Sequence, residues 1–77
     1  MELEDFVRKF ADQFEDTDVS EISADTKFHE LDEWSSMLVL ALIAMANIEY
    51  DVTLTGEDIK GAETVEDLFN IVKARQE

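Results

Sequence analysis

The sequence predicts an all-α fold: a small four-helix bundle of three longer helices and one short helix, with a long loop between helices one and two. Two observations predict it. Apolar residues recur at helical spacing near both ends of the chain, and the capping patterns "TGED" at 55–58 and "TVED" at 64–67 mark helix starts. The 77 residues contain no proline to interrupt these segments. At this length we expect a single domain over residues 1–77.

The first helix is predicted over residues 2–15. Apolar side chains recur there every three or four positions with charged residues between them, which is typical of an amphipathic helix with an aromatic stripe facing the core. The stripe consists of Leu3, Phe6, Val7, Phe10, Ala11 and Phe14.

Residues 16–35 show no sustained period and contain clusters of Asp, Thr and Ser, which predicts a long loop. A loop of this length in a small domain usually has anchors or a function of its own. The residues expected to hold it against the core are Val19, Ile22, Phe28 and Leu31.

The second helix is predicted over residues 36–50 and includes ten consecutive apolar residues, Met37–Ala46. The capping patterns open a short helix near 56–61 and a last helix over 64–75. Phe28 should close the loop side of the core. The other predicted core residues are Phe6, Phe10, Phe14, Leu42, Ala46, Tyr50, Leu54, Val65, Leu68, Phe69 and Val72.

The apolar run of the second helix cannot face the core along its whole length, because a core-facing stripe covers only part of a helix circumference. We therefore expect part of it to form a contact surface for partner proteins, to which methionine is suited because it adapts to different surfaces. The alternative is that the 16–35 loop folds over this face. The residues expected to dock partners are Ser35, Met37, Leu38, Ala41, Met45 and Ile48.

The charge limits the possible partners. Twenty acidic residues against six basic ones give a net charge of −14, which argues against nucleic acid as a partner because phosphate backbones require many Lys and Arg residues. The charge favours partners with basic docking surfaces, although solubility alone would also explain it.

The sequence also bears on location. The N-terminal "MELEDFVRKF" has acids where a signal peptide has bases. The longest apolar run is about half of the ~20 residues that a membrane span needs, and the absence of cysteine suits a reducing compartment. We expect a cytoplasmic monomer without membrane insertion.

The sequence gives little support for an enzyme or a metal site. His29 lies in the acidic loop with no cysteine or second histidine nearby, which is typical of a surface histidine. The segment "DTDVSEISADTK" at 16–27 offers oxygens at the first, third and fifth places of a calcium loop. However, Glu21 stands where that loop needs glycine, and Lys27 where it needs a bidentate glutamate. We expect no metal site and no catalytic residues.

Two serines precede the apolar run in "WSSMLVL" at 34–40. Serine is a preferred N-cap residue, and Ser35 is expected to fill that role with its side-chain oxygen accepting a backbone N–H. Ser36 would then be the first helical residue, with its hydroxyl turned outward. Because the N-terminal end of a helix is positive, a phosphodiester on Ser36 would be stabilised there.

The chain resembles acyl carrier proteins of the free-standing bacterial type over essentially all 77 residues. "SSM" at 35–37 stands where that family has Asp-Ser-Leu, and Phe28 precedes Ser36 by eight residues, as in the family. "EYD" at 49–51 and "ETVEDL" at 63–68 match the end of the family's second helix and the start of its last helix without gaps.

This resemblance implies a carrier rather than a catalyst. A phosphopantetheinyl transferase would move 4′-phosphopantetheine from coenzyme A onto Ser36, with Ser35, which replaces the family's Asp, as the less favoured site. The terminal thiol would hold acyl groups for acyl-loading enzymes, ketoacyl synthases or acyltransferases of fatty-acid, polyketide or related specialised lipid pathways.

The exposed face of the second helix departs from the family pattern, which usually has acids there. Here those places hold Ser35, Leu38, Ala41, Asn47 and Ile48. This favours a dedicated pathway over the general fatty-acid synthase. The alternative is a non-covalent helical adaptor, a degenerate carrier that docks partners through the apolar second helix while the serines act as caps.

Overall fold

The computed structural model describes residues 2–76. The loop after the first helix contains two short 3₁₀ turns, Val19–Glu21 and Phe28–Glu30. The α-helices are α1 (Leu3–Ala11), α2 (Ser36–Tyr50), α3 (Gly56–Gly61) and α4 (Val65–Gln76). The predicted all-α bundle with its long first connection is confirmed, as are the bounds of α2 and α3, and α4 is shifted by one residue from its prediction.

Helix α1 ends at Ala11, four residues before its predicted end at residue 15. The amide of Phe14 donates to the carbonyl of Ala11 at 3.0 Å, which closes a tighter turn. The amides of Glu15 and Asp16 then donate to the carboxylate of Glu33 at 2.8 and 3.0 Å. Because these amides bond to the loop instead of carbonyls four residues back, the helix stops.

The core is confirmed where the sequence predicted it, since every predicted core residue is buried. The ring of Phe10 lies at its centre, 6.4 Å from Phe6, 5.5 Å from Phe14 and 5.3 Å from Phe28 between centroids. Phe28 thereby closes the loop side as expected. Buried residues outside the predicted core set are Ala11, Ile22, Leu38, Met45, Val52, Ile59 and Ala62.

The loop anchors are only partly as predicted. Ile22 and Phe28 are buried, and Leu31 packs against the core, but Val19 is 60% exposed, so its predicted anchoring is wrong. The reason is local. Asp18 caps the turn that contains Val19, accepting from the Ser20 amide at 2.8 Å, and this polar cap holds the turn at the surface.

His29 ties the loop to the end of α3. It lies at the surface as expected, yet its Nε2 lies 3.0 Å from the carbonyl oxygens of both Ile59 and Ala62. A nitrogen between two carbonyls must carry its proton, so Nε2 donates. The ring also packs on Phe28 and Trp34, at 4.4 and 5.1 Å between centroids. His29 thus helps to position the residues that lead into α2.

Tyr50 ties the end of α2 to α1. Its ring lies 5.8 Å from that of Phe6 between centroids, and the ammonium of Lys9 lies 5.0 Å from its centre. Lys9 also pairs with Glu49 at 3.5 Å. Burial raises the pKa of the Tyr50 hydroxyl, which has no hydrogen-bond partner among residues 2–76. Both ends of α2 are therefore fixed against the rest of the bundle.

Candidate functional site

The candidate site is the N-terminal end of α2. Ser35 has extended backbone angles, φ −159° and ψ 172°, and Ser36 is the first helical residue. Both serine residues are exposed at the surface. The structure therefore places Ser36 at the head of the helix and open to solvent, as the sequence predicted.

The prediction that the Ser35 hydroxyl caps α2 is wrong, because its side chain accepts no hydrogen bond from the first turn. The amide of Leu38, the third helical residue and a usual donor to a capping side chain, instead donates to the Ser35 carbonyl at 3.0 Å. The amide of Val39 shares the same carbonyl at 3.3 Å. Helix α2 therefore begins through backbone bonds alone.

Glu33 ties the start of α2 to the end of α1. Besides the amides of Glu15 and Asp16, its carboxylate accepts from the hydroxyl of Thr17 at 2.8 Å. These hydrogen bonds, that from the Glu15 amide above all, lower the pKa of Glu33. The carboxylate therefore stays ionised at neutral pH and holds the segment before the serines in place.

Trp34, next to the serines, adds an apolar anchor. Its ring stacks on Phe14 at 6.5 Å and meets Phe28 edge-on at 4.9 Å between centroids. Its amide donates to the carbonyl of Leu31 at 3.0 Å. With Glu33 and Trp34 both held, the backbone entering α2 is fixed while the two serine side chains remain exposed.

The electrostatics at the start of α2 differ from those of the other helices. The first turn of α2 contains no acidic residue, whereas those of α1, α3 and α4 contain two each: Glu4 and Asp5, Glu57 and Asp58, Glu66 and Asp67. Within residues 2–76 the amides of Ser36 and Met37 have no hydrogen-bond partner. The positive end of α2 is therefore not neutralised by the protein and can stabilise an added anion.

The outer face of α2 is apolar and uncovered. Met37, Leu40 and Ile48 are 77%, 67% and 76% exposed, and Ala44 is also exposed. These four residues, spaced by three, four and four positions, form what we call the outer stripe. Because they are exposed, the alternative that the loop folds over this face is wrong for the stripe.

Two residues that the sequence placed on the docking face are buried instead. Leu38 and Met45 are 6% and 5% exposed. With Leu42 they occupy positions i, i+4 and i+7, which lie on one side of a helix, and that side faces the core. The exposed face consequently excludes them and includes Leu40, which the prediction omitted because an uninterrupted apolar run does not reveal which side is outside.

Two clefts border this end of the molecule. The first, of about 530 Å³, precedes the helix and is lined mainly by carboxylates: Asp16, Thr17, Glu21, Glu30, Leu31, Asp32 and Glu33. The second, of about 290 Å³, lies between the end of α1 and the start of α2 and is lined by Gln13, Glu15, Glu33, Ser35, Met37, Leu38 and Ala41. Among residues 2–76, no three His, Cys, Asp or Glu side chains are placed to hold a metal ion.

Residues 4–72 match the model of a family described as the phosphopantetheine attachment site. That family is defined by a covalently attached 4′-phosphopantetheine group. No curated protein and no solved structure gave a match. Over the part of the chain that the structure describes, no helix is long and apolar enough to cross a bilayer.

Proposed function

Because the chain belongs to the phosphopantetheine attachment-site family, we propose that it is an acyl carrier protein with its arm on Ser36. The arm's terminal thiol would carry acyl groups as thioesters between enzymes of a fatty-acid, polyketide or related specialised lipid pathway. A phosphopantetheinyl transferase would load it, and acyl-loading enzymes, ketoacyl synthases or acyltransferases would use it. The chain itself catalyses no step, and the lack of cysteine supports a cytoplasmic location.

One observation carries the assignment of Ser36: among the helices of residues 2–76, α2 alone has no acid in its first turn, so the positive charge of its first two amides, which have no partner in this range, is not offset there. A phosphodiester on the side chain of the first helical residue would lie at this positive end. Loading requires an exposed hydroxyl that the transferase can deprotonate and align with the pyrophosphate of coenzyme A. Ser36 meets both requirements.

The cleft beside the helix argues against Ser35 as the attachment point. Ser35 lines the cleft between α1 and α2 together with the acidic residues Glu15 and Glu33. A phosphodiester on Ser35 would therefore face like charges, which disfavours it. Ser36 does not line this cleft. The choice between the two serines thus rests on their electrostatic surroundings and not on capping by Ser35.

The experiment is intact-mass measurement after incubation with a phosphopantetheinyl transferase and coenzyme A. The wild-type chain and Ser35→Ala are expected to gain the mass of the arm, and Ser36→Ala is expected to gain none. Circular dichroism of each variant checks that it is folded. Modification of Ser36→Ala with loss from Ser35→Ala would move the site to Ser35, and a wild-type chain that takes no arm would overturn the carrier function.

The exposed outer stripe favours a second function, the non-covalent helical adaptor. An adaptor would use α2 to dock partners without any group on Ser36. The same mass measurement separates the two functions, because an adaptor would remain unmodified under conditions in which a known carrier protein is fully loaded.

A further inference from the structure

Met37 carries an exposed sulfur atom beside the proposed attachment serine. The chain contains three methionines and no cysteine, so every oxidisable sulfur of the unloaded protein is a methionine thioether. Of the two methionines in residues 2–76, Met37 is 77% exposed and Met45 is 5% exposed. Because oxidation requires the oxidant to reach the sulfur, Met37 is expected to react and Met45 to be protected.

The position of Met37 links such a reaction to Ser36. Met37 is the second residue of α2, directly after Ser36, and both side chains are exposed. An enzyme that aligns the Ser36 hydroxyl with coenzyme A must therefore also meet the side chain of Met37. A change in the chemistry of this one side chain changes the surface on which loading takes place.

A sulfoxide at position 37 would alter the electrostatics of the helix start. Oxidation converts an apolar thioether into a polar group whose oxygen accepts hydrogen bonds. Helical side chains point back toward the N-terminus of their helix, which directs this oxygen toward the open amides of Ser36 and Met37. The oxygen would then compete for the donors that otherwise stabilise an added phosphodiester.

We propose that Met37 is a site of reversible oxidation by peroxide, and that its sulfoxide slows the loading of Ser36. The inference rests on the proposed carrier function and adds a regulatory modification to it. In the forward step the sulfur lone pair attacks one oxygen of hydrogen peroxide, so that an S–O bond forms and the O–O bond breaks. The second oxygen takes the proton of the transferred hydroxyl and leaves as water. The sulfur loses two electrons, and the peroxide gains them.

The reverse step restores the thioether. A methionine sulfoxide reductase uses two thiols, which become a disulfide, and the sulfoxide oxygen leaves as water. Because Met37 lies outside the core, neither step disturbs the packing of the bundle. Met45 belongs to the core, so its oxidation would place a polar group there and destabilise the fold. Stability thus separates a regulatory oxidation of Met37 from oxidative damage at Met45.

The first measurement maps the oxidation on the unloaded chain, which lacks the thiol of the arm. Fragmentation mass spectrometry follows the uptake of oxygen at each methionine during treatment with hydrogen peroxide. We expect Met37 to be oxidised at least about tenfold faster than Met45, because Met45 reacts only when the structure opens. Thermal unfolding should be unchanged while Met45 is unmodified. Equal rates at the two residues, or faster oxidation of Met45, would overturn the inference.

The second measurement compares loading by a phosphopantetheinyl transferase before oxidation, after oxidation, and after treatment with the two reductases that act on the two sulfoxide epimers. For wild type we expect kcat/KM to fall about threefold or more on oxidation and to recover on reduction. Met37→Leu is similar in size but has no thioether, so its rate should not change on oxidation. Met1 and Met45 are common to both chains, and the difference between the chains therefore isolates Met37.

Met37→Gln tests the effect of the polar oxygen without any oxidant. Its side-chain amide is a permanent hydrogen-bond acceptor, so it should load more slowly than Met37→Leu by a factor similar to that of oxidation. Equal loading of these two variants would overturn the inference.

Two further results would overturn it: oxidised wild type that loads as fast as the unoxidised chain, and a loss of loading on oxidation that is as large in Met37→Leu as in wild type. All of these results leave the carrier function intact. The carrier function fails by a different result, a wild-type chain that takes no arm before any oxidation, and the control of loading by Met37 would then fail with it.

Discussion

At the start of α4 the first three backbone amides all have protein partners. The amides of Val65 and Glu66 donate to the loop carbonyls of Thr26 and Ala24, at 3.2 and 3.0 Å. The amide of Asp67 donates to the hydroxyl of Thr64 at 3.2 Å, and the Asp67 carboxylate accepts from the Thr64 amide at 3.0 Å. At the start of α2, by contrast, only the third amide, that of Leu38, has a partner among residues 2–76.

The burial of the first and third side chains is also opposite in the two helices. In α4 the first helical residue, Val65, is buried and the third, Asp67, is exposed; in α2 Ser36 is exposed and Leu38 is buried. Helix α4 thus uses its exposed acid and all three donors to stabilise the fold. Helix α2 is anchored by Leu38 and leaves a hydroxyl and two amides to the outside. A start of this kind is suited to holding an added anion.

The largest expected effect comes from placing an acid at the third position of α2. Leu38→Asp buries a carboxylate and removes a core side chain, so we expect it to lower the free energy of unfolding by about 3 kcal/mol or more. Leu40→Asp, on the outer stripe, should change it by less than about 0.5 kcal/mol. Urea denaturation measures both. If the two variants are equally stable, Leu38 is not part of the core.

The next effect compares the two N-cap residues. Thr64→Ala removes a hydroxyl that accepts from Asp67 and should cost about 1 kcal/mol in free energy of unfolding. Ser35→Ala removes a hydroxyl that caps nothing and should cost less than about 0.3 kcal/mol. Urea denaturation of the two variants side by side provides the check, and a loss for Ser35→Ala as large as that for Thr64→Ala would show that Ser35 caps α2 after all.

The smallest expected effect is a change in how stability depends on pH, caused by removing the ion pair at the start of α3. Arg75 of α4 donates to the Asp58 carboxylate there at 2.7 Å, and the amide of Thr55, the N-cap residue, also donates to it; these hydrogen bonds hold the pKa of Asp58 at about 2. A lowered pKa gives stability that is present above about 4, the unfolded value, and is lost as the pH falls toward 2. Arg75→Gln should lower the free energy of unfolding only slightly at pH 7, because an exposed ion pair contributes little.

The matching measurement is urea denaturation of wild type and Arg75→Gln at pH 7, pH 4 and pH 2.5. Between pH 4 and pH 2.5 the variant should lose less stability than wild type, because its Asp58 has a pKa closer to the unfolded value. Ser35→Ala should follow wild type throughout, since the first turn of α2 contains no carboxylate. Parallel losses in wild type and Arg75→Gln would mean that Arg75 does not hold the pKa of Asp58 down.

The features that could be predicted from the sequence depend on interactions between residues that are close together in the chain. The caps of α3 and α4 join residues three positions apart, so "TGED" and "TVED" were sufficient to locate them. The aromatic stripe of α1 was likewise readable from its spacing. The choice of Ser36 as the attachment site came from the resemblance of the whole chain to acyl carrier proteins, and it stays a prediction.

The remaining features depend on contacts between distant residues. The end of α1 depends on Glu33, which bonds to amides 17 and 18 residues earlier. The hydrogen bonds of His29 reach carbonyls 30 and 33 residues later. The burial of Leu38 and Met45 could not be predicted because an uninterrupted apolar run has no period to show its inner side.

The most direct test of an open positive end on α2 is a double cycle of unfolding free energies, with wild type and Ser35→Asp each measured before and after loading of the arm. Ser35→Asp places a carboxylate at the N-cap of α2, where the open amides attract it and Glu15 and Glu33 of the adjoining cleft repel it, so we expect it to change the stability of the unloaded chain by less than about 0.5 kcal/mol. The arm itself is the same in both loaded chains, so its other contacts cancel in the difference. We predict that loading stabilises wild type by about 0.3–1 kcal/mol through the helix end and stabilises Ser35→Asp distinctly less. An equal change on loading in both chains would contradict the claim that the start of α2 is held open for the phosphodiester.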